Sequence, residues 1–330
     1  MHAASRTHSR IEIVEASQIG DARRRSKLLA EQAGMSEEQQ NNVAIVASEL
    51  ATNLVNHAKD GALLLRAADG NAGVELIALD KGPGMADLQR CLADGHSTRG
   101  TPGNGFGAIR RLSAEFDIWS EPSGTAIVAR VGEFPRCGTV AIGGVCVPLR
   151  GQQRCGDTWT LRESGETLNL LVVDGLGHGV EAAEAADDAV ESFAGSTADE
   201  PRELLEQIHV RLRGTRGGAV AVAALKSATR AIGYCGVGNI SARIDGPAGT
   251  RGMVSSNGIV GGQYRRSETF NYEWPSGSIV VLHSDGLQTR WDLSKYPGLR
   301  NRHPALIAAV LYRDFARAHD DVTVLVVSAS

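Results

Sequence analysis

Hydrophobic and polar positions along the first 131 residues alternate in patterns that predict a mixed helix-and-strand unit. Alternation over residues 10–16 predicts a half-buried strand. Apolar positions recur at helical spacing over residues 21–34 and 38–58, which predicts two helices in succession. Further strands are predicted at 62–66, 74–79 and 126–131, with a helix at 107–116. We therefore expect an α+β unit that has its helices on one face of a sheet.

The pattern changes after residues 132–136, "GEFPR", which we interpret as a linker. Helical spacing now occurs only at 180–194 and 201–213. The apolar runs typical of strands are at 139–147, 168–173, 219–225, 231–235, 278–283 and 322–328. Two helices among many strands predict stacked sheets flanked by helices.

Composition and charge narrow the classes of protein that fit these elements. A length of 330 residues suits two domains, and 42% hydrophobic with 22% charged residues is typical of soluble globular proteins. The net charge of −4 argues against a nucleic-acid binder, which needs a basic face. The five cysteines contain no Cys-x-x-Cys pair, which favours free thiols. A polar amino terminus and the lack of a long apolar stretch predict neither a signal peptide nor a membrane span, and we expect a cytoplasmic protein.

Three polar side chains form a stripe on the otherwise apolar helix predicted at 38–58. Glu49, Asn53 and His57 are spaced i, i+4 and i+8, so they share one helix face. The spacing alone fits either a face in contact with water or a ligand site. Further along, Asp80 follows an apolar strand and precedes Gly82 and Gly84. A glycine-rich segment, "GNGFGAIRRL", then leads into a helix, where free backbone amides attract phosphate.

In this order, the motifs of residues 10–131 resemble the Bergerat-fold (GHKL) ATPases, in the subgroup of bacterial anti-sigma-factor serine/threonine kinases. The resemblance implies an ATP-binding α/β sandwich in which Asn53 ligates Mg²⁺ and Glu49 is the base that activates the acceptor hydroxyl. It also implies that Asp80 hydrogen-bonds the adenine amino group. The other implied ATP contacts are Gly82 and Gly84 at the base, Gly103, Gly105 and Gly107 at the phosphates, and Thr125 in the strand that closes the adenine pocket.

The second half places aspartates where strongly apolar strands begin or end. Asp174 ends the run 168–173, Asp285 ends the run 278–283, and Asp157 lies upstream in "CGDTW". Asp320 and Asp321 open the last strand. Buried carboxylates repel one another unless cations neutralise them, and hard oxygen ligands are what Mg²⁺ or Mn²⁺ requires. The pattern therefore predicts a metal site.

Residues 137–328 resemble the metal-dependent type 2C (PPM) protein phosphatases, in the branch that is similar to the sporulation protein SpoIIE. The motifs that carry this resemblance are "CGDTW", "VVDGLGHG", "GVGNI", "SSNGIVGG", "LHSDGL" and "DDVT". The resemblance implies an αββα sandwich with two metals, in which Asp174 bridges the ions and the Gly175 carbonyl binds the first. It implies that Asp157, Asp285 and Asp320 complete the second. The alternative of Asp321 in place of Asp320 stays open.

The implied reaction is hydrolysis of phosphoserine or phosphothreonine by a metal-activated water, without a covalent phospho-enzyme. His178 is a candidate proton donor to the leaving serine, although a packing role fits it equally well. Arg154 is a weaker candidate for contact with the substrate phosphate, and Cys155 is interpreted as a bystander.

Together the two resemblances predict a kinase-like domain at 10–131 and a phosphatase domain at 137–330 on one chain. Opposing activities of this kind suit partner switching, in which a STAS-domain antagonist of an anti-sigma factor is phosphorylated and later dephosphorylated. The leading hypothesis is a bifunctional regulator that uses ATP, Mg²⁺ and Mn²⁺ and acts on such an antagonist. The alternative is a phosphatase whose first domain is a non-catalytic, ATP-dependent binding module for a sigma factor or switch protein.

Overall fold

The computed structural model describes residues 6–70, 72–88, 105–135, 137–138, 140–264 and 266–329. The chain divides into two compact units. The first contains His8–Pro135. The second contains the described residues after Pro135, and Arg6 and Thr7 group with it. Arg6 places its guanidinium 4.1 Å from the ring centre of Trp159, which is a cation–π contact within that second unit.

The first unit is a five-stranded antiparallel sheet in the order β1-β2-β3-β5-β4. Its strands are β1 (Ser9–Glu12), β2 (Ala62–Ala67), β3 (Gly73–Leu79), β4 (Glu115–Glu121) and β5 (Gly124–Gly132). Its described helices are α1 (Ser17–Gln32), α2 (Glu37–His57) and α3 (Gly105–Leu112). A capping box starts α2, because Ser36 and Gln39 each accept a hydrogen bond from the other's backbone amide. The buried face of α2, with Leu50 and Leu54, packs over β2 and β3.

The helix predicted at 107–116 is wrong at its carboxyl end. It stops at Leu112, and β4 follows from Glu115. The Ala114 amide donates to the Arg130 carbonyl, so the chain has already joined β5. Pairing with β5 therefore overrides the helical pattern of this short segment.

A buried ion-pair row crosses the sheet of the first unit. Glu75 of β3 is fully buried, and its carboxylate accepts hydrogen bonds from Arg130 at 2.6 Å and Arg66 at 3.2 Å. His8 Nε2 lies 3.2 Å from the same carboxylate. Burial alone raises the pKa of Glu75, but the two guanidinium groups and His8 outweigh it and hold the pKa well below its ordinary value. The row links β2, β3 and β5 through one ionised carboxylate.

The second unit consists of two stacked antiparallel sheets of five strands, in the orders β13-β10-β9-β8-β7 and β12-β11-β14-β15-β6. The strands are β6 (Val140–Val147), β7 (Asp157–Ser164), β8 (Thr167–Gly175), β9 (Gly218–Lys226), β10 (Ala231–Val237), β11 (Ser241–Gly246), β12 (Gly249–Met253), β13 (Phe270–Glu273), β14 (Ile279–His283) and β15 (Val322–Ala329). The helices are α4 (Val180–Gly195), α5 (Pro201–Leu212) and α6 (Pro304–Phe315). Helices α4 and α5 cover the first sheet and α6 covers the second, which confirms the αββα sandwich.

Helix α6 was not predicted, because its sequence shows no polar face. Every residue from Pro304 to Arg313 is buried, so apolar positions do not alternate with polar ones at helical spacing. The same chain segment packs on β6 and β15. In the described part of the chain, no helix has both the length and the apolarity needed to cross a membrane.

Candidate active sites

The first candidate site lies along α2, where the predicted polar stripe is found. Glu49 and Asn53 are partly buried one turn apart, whereas His57 is exposed near the helix end. Helix α3 packs against α2, and a Cβ placed on Gly105 would lie 2.8 Å from Glu49 Oε2. Glycine at the start of α3 therefore makes room for the Glu49 carboxylate. The Asn53 side-chain amide is buried and has no hydrogen-bond partner in the described residues, which fits a group that pairs with a ligand or ion.

Hydrogen bonds gather the residues predicted for adenine at the adjoining ends of β3 and β5. Asp80 donates its amide to the Thr125 carbonyl at 3.0 Å, and its Oδ1 accepts the Gly82 amide at 2.6 Å. The Thr125 hydroxyl lies 2.8 Å from that of Ser120, which accepts the Met85 amide at 2.9 Å. Ser120 was not among the predicted residues. Only strand β4, which the sequence pattern did not indicate, brings it to this cluster.

Glycines allow close backbone approach around this cluster. Gly84 has φ +71°, and a Cβ there would overlap the Glu121 carbonyl. A Cβ on Gly82 would lie 3.0 Å from the His57 carbonyl at the end of α2. Gly105 and Gly107 lie inside the first turn of α3, because this helix begins two residues earlier than predicted. Gly103, predicted to contact phosphate, lies outside the described residues.

The second candidate site begins with two carboxylates that face each other across β7 and β8. Asp157 and Asp174 are direct neighbours in the register of these strands. One carboxylate oxygen of each is buried without a hydrogen-bond partner in the described residues. Burial, followed by the charge of Asp174, raises the pKa of Asp157 well above its ordinary value. Burial, followed by the charges of Asp285 and Asp320, raises the pKa of Asp174 to about 7. These groups are costly to ionise together unless cations accompany them.

Asp285 and Asp320 form a second facing pair. Burial and the charge of Asp285 raise the pKa of Asp320. Within the described ranges, no three acidic, histidine or cysteine side chains are already arranged as a set that could hold an ion, but the charges of Asp285 and Asp320 act on Asp174, so the second pair lies near the first. Four carboxylates in two adjacent pairs still supply the hard oxygen ligands that Mg²⁺ or Mn²⁺ prefers. The residues therefore fit the implied metals in their chemistry.

Asp320 and Asp321 have different surroundings. Asp321 is almost fully buried, and its two carboxylate oxygens accept the amides of Leu149 at 2.6 Å and Gly156 at 2.7 Å. The Asp321 carboxylate therefore fixes the backbone at Leu149 and at Gly156 through these two hydrogen bonds. Asp320 is the one that faces Asp285. The geometry favours Asp320 as the ligand, and the assignment stays a prediction.

Asn239 and Gly175 make further contacts beside these aspartates. Asn239, in the "GVGNI" motif, donates its side-chain amide to Asp285 at 2.6 Å. Sequence reasoning quoted the motif but missed the residue. Gly175 donates its amide to the Gly156 carbonyl at 3.0 Å, and a Cβ on Gly175 would overlap the Ala182 carbonyl of α4. These close contacts bring the start of α4 against the strand ends.

The remaining predicted residues lie at the surface or in the core. His178 is exposed in the loop between β8 and α4. Arg154 forms an ion pair with Asp187 of α4. Cys155 lies 3.6 Å, sulfur to sulfur, from Cys146, a contact that the sequence did not indicate. Roles for His178 and Arg154 in phosphate transfer stay predictions.

The fold and the paired aspartates define a PP2C-type serine/threonine phosphatase unit, preceded by a unit of the histidine kinase-like ATPase type. The sequence profile of the family described as Stage II sporulation protein E (SpoIIE) matches residues 164–330, and the chain belongs to this family. The profile described as Histidine kinase-like ATPase domain matches residues 14–131. Both resemblances found in the sequence are thereby confirmed at the level of the family.

Three known proteins show how each unit relates to others. Over 109 residues, 32% of this chain and 77% of the relative, the chain is 34% identical to the serine/threonine-protein kinase RsbT of Bacillus subtilis (strain 168). Over 141 residues, 42% of this chain and 69% of the relative, it is 26% identical to the phosphoserine phosphatase RsbX of the same organism. A solved structure from work on the bacterial stressosome is similar with a TM-score of 0.53 and 27% identity, covering 57% of this chain and 98% of that one.

Proposed function

We propose that this chain is a bifunctional partner-switching regulator. Its second unit hydrolyses phosphoserine or phosphothreonine on a STAS-type antagonist of an anti-sigma factor. Its first unit binds ATP with Mg²⁺ and phosphorylates a serine or threonine of a protein of the same kind. Similarity to a phosphoserine phosphatase and to a serine/threonine-protein kinase on one chain supports the pairing of opposite reactions.

The observation that carries the phosphatase assignment is the pair of unpartnered carboxylate oxygens on Asp157 and Asp174. A buried carboxylate without a partner is strongly destabilising, so its retention on two facing strands indicates a ligand that neutralises it. Divalent cations bound there supply a water of lowered pKa and offset the charge of the phosphate.

Each residue of the second site then has a defined task. The cations would be held by the Gly175 carbonyl and by the carboxylates of Asp157, Asp174, Asp285 and Asp320. Asn239 holds Asp285 in position through its 2.6 Å hydrogen bond. His178 is exposed on the loop that follows Asp174, where it is free to approach a bound phosphoprotein and protonate the departing serine oxygen.

In the first unit, Asp80, Gly82, Gly84 and Thr125 would hold the adenine. Asn53 would ligate Mg²⁺, and Glu49 would accept the proton of the acceptor hydroxyl. The unpaired Asn53 amide and the space that Gly105 leaves for Glu49 support these tasks, as does the hydrogen-bonded cluster around Asp80. The phosphates would meet Gly105 and Gly107 at the amino end of α3, where the helix dipole favours anions. The resemblance adds Gly103 as a third phosphate contact.

The phosphatase assignment is tested with a serine-phosphorylated STAS-domain protein as substrate. We expect phosphate release that requires Mn²⁺, stops with a chelator and is lost in Asp174→Asn. Asp188→Asn is the matched control, because Asp188 lies on α4 and pairs at the surface with Arg211. Unchanged release by Asp174→Asn would refute the assignment.

The kinase assignment is tested by transfer of label from γ-labelled ATP to the dephosphorylated STAS protein. We expect transfer by the wild type, and ATP binding without transfer by Glu49→Gln. A second candidate function predicts a different result for the wild type. If the first unit is an ATP-dependent binding module, the wild type itself binds ATP and a partner but transfers no label.

A further inference from the structure

Two thiols meet beneath the second candidate site. Cys146 lies within β6, and Cys155 is separated from Asp157, the first residue of β7, by Gly156 alone. Their sulfur atoms are 3.6 Å apart, a direct contact between two buried side chains. Cys146 has no exposed surface, whereas Cys155 keeps 7% of its surface exposed.

The thiol pair is connected to the metal-binding carboxylates through short backbone links. The Cys146 sulfur lies 3.4 Å from the Asp157 carbonyl. Gly156, next to Cys155, donates its amide to Asp321 and accepts the Gly175 amide with its carbonyl at 3.0 Å. A change in the position of Cys155 therefore moves the backbone that carries Asp157 and supports Gly175.

This backbone has little room in which to absorb a movement. A Cβ on Gly156 would lie 2.7 Å from the Ala182 side chain of α4. A disulfide requires a sulfur–sulfur distance of about 2.05 Å. Bond formation therefore draws the sulfur atoms together by roughly 1.5 Å against tightly packed neighbours.

We propose that Cys146 and Cys155 form a reversible disulfide that lowers metal binding and phosphatase activity when the cell meets a peroxide. The inference rests on the proposed phosphatase function. Cys155 is buried but, unlike Cys146, keeps a small exposed edge, and hydrogen peroxide, which is close to water in size, enters there. Its sulfur attacks the peroxide bond to give a sulfenic acid and one water. The Cys146 sulfur then displaces the second water, so two thiols and one peroxide give one disulfide and two waters.

Reduction by a cellular dithiol breaks the bond and returns both thiols. Displacement of a catalytic group by about 1 Å costs on the order of a hundredfold in rate. We therefore expect oxidation to lower the Mn²⁺-dependent activity at least about tenfold. Dithiothreitol should restore that activity.

The test treats the full chain with hydrogen peroxide and follows two quantities. Peptide mass spectrometry under non-reducing conditions identifies the Cys146–Cys155 link by its loss of two hydrogens. Titration with Mn²⁺ alone, followed by calorimetry, measures metal binding independently of catalysis. Cys146→Ala and Cys155→Ala should remain active when reduced and become insensitive to peroxide. Cys235→Ala, which removes another buried thiol of the same unit, should stay as sensitive as the wild type.

The outcomes separate this inference from the phosphatase proposal. Absence of phosphatase activity in the reduced protein, with the disulfide formed and Mn²⁺ binding weakened, refutes the phosphatase and retains the thiol pair as a redox site. An active reduced enzyme that forms no Cys146–Cys155 link under peroxide overturns the inference. So does a link that leaves Mn²⁺ binding and activity unchanged.

Discussion

Replacing Asp174 by asparagine should stabilise the chelator-treated protein above pH 7 while removing its response to metal. In the folded protein, burial and the charges of Asp285 and Asp320 raise the pKa of Asp174 to about 7. In an unfolded chain an aspartate has a pKa of about 3.9. The difference of about 3 units, at 1.36 kcal/mol per unit, sets an upper limit of about 4 kcal/mol for the cost of this one ionised group.

The sign of the pH dependence follows from where the proton binds more tightly. Since the folded state has the higher pKa, it holds the proton better than the unfolded state does. The stability that protonated Asp174 contributes is fully present below about pH 4 and is lost as the pH rises to about 7. Asparagine cannot ionise, so the variant should lose less stability than the wild type across this window.

Urea denaturation in the presence of a chelator, at pH 5 and pH 8, measures the effect. Trp159, Trp274 and Trp291 report on the second unit by fluorescence, with Trp119 alone in the first. Saturating Mn²⁺ should then stabilise the wild type by about 2.7 kcal/mol at a hundredfold excess over Kd, and the variant far less. Asp188→Asn should match the wild type in both measurements. Equal pH dependence in wild type and Asp174→Asn would show that Asp174 carries no buried charge.

Three further substitutions test other parts of the account. Asp320→Asn should abolish stabilisation by Mn²⁺ without lowering the stability of the chelator-treated protein. Asp321→Asn should lower that stability by about 1–3 kcal/mol, because two buried amides lose a charged acceptor. The reverse pattern in thermal melts would exchange the two roles. Glu75→Gln should destabilise the first unit by about 3 kcal/mol, because Arg66 and Arg130 lose the fully buried carboxylate that they share and keep only the less buried carboxylates of Asp69 and Glu115. Hydrogen exchange of that unit measures the loss, and unchanged protection would contradict it. Gly105→Ala should reduce label transfer from ATP by about tenfold, because its Cβ displaces the Glu49 carboxylate. Thermal stability should be retained because alanine favours the helix, and full label transfer would contradict the tight contact between Gly105 and Glu49.

The sequence predicted those site residues whose position depends on the end of a regular element. An apolar strand that stops at a charged residue places that residue near the end of the strand, and the structure has Asp174 near the end of β8 and Asp285 just after β14. Helical spacing likewise placed Glu49 and Asn53 on one face of α2. In each case the pattern of a short stretch of sequence is enough to predict where the residue lies in its strand or helix.

Features that depend on packing between distant elements were not predictable in this way. Helix α6 is buried on all sides, so its sequence lacks the polar face that marks a surface helix. Nothing local shows that Cys146 and Cys155 touch, because their contact arises where β6 approaches the start of β7. The different tasks of Asp320 and Asp321 emerge only once Leu149 and Gly156 are brought to the same carboxylate.

The most direct test of the central claim is phosphate release from a phosphoserine STAS protein, with the bound Mn²⁺ of the same preparation measured alongside. We predict that the wild type and Asp188→Asn bind Mn²⁺ and release phosphate. We predict that Asp174→Asn does neither, although it folds at least as stably as the wild type in chelator. Phosphate release by Asp174→Asn at the wild-type rate, or release by the wild type that persists after complete removal of divalent metal, would contradict the account.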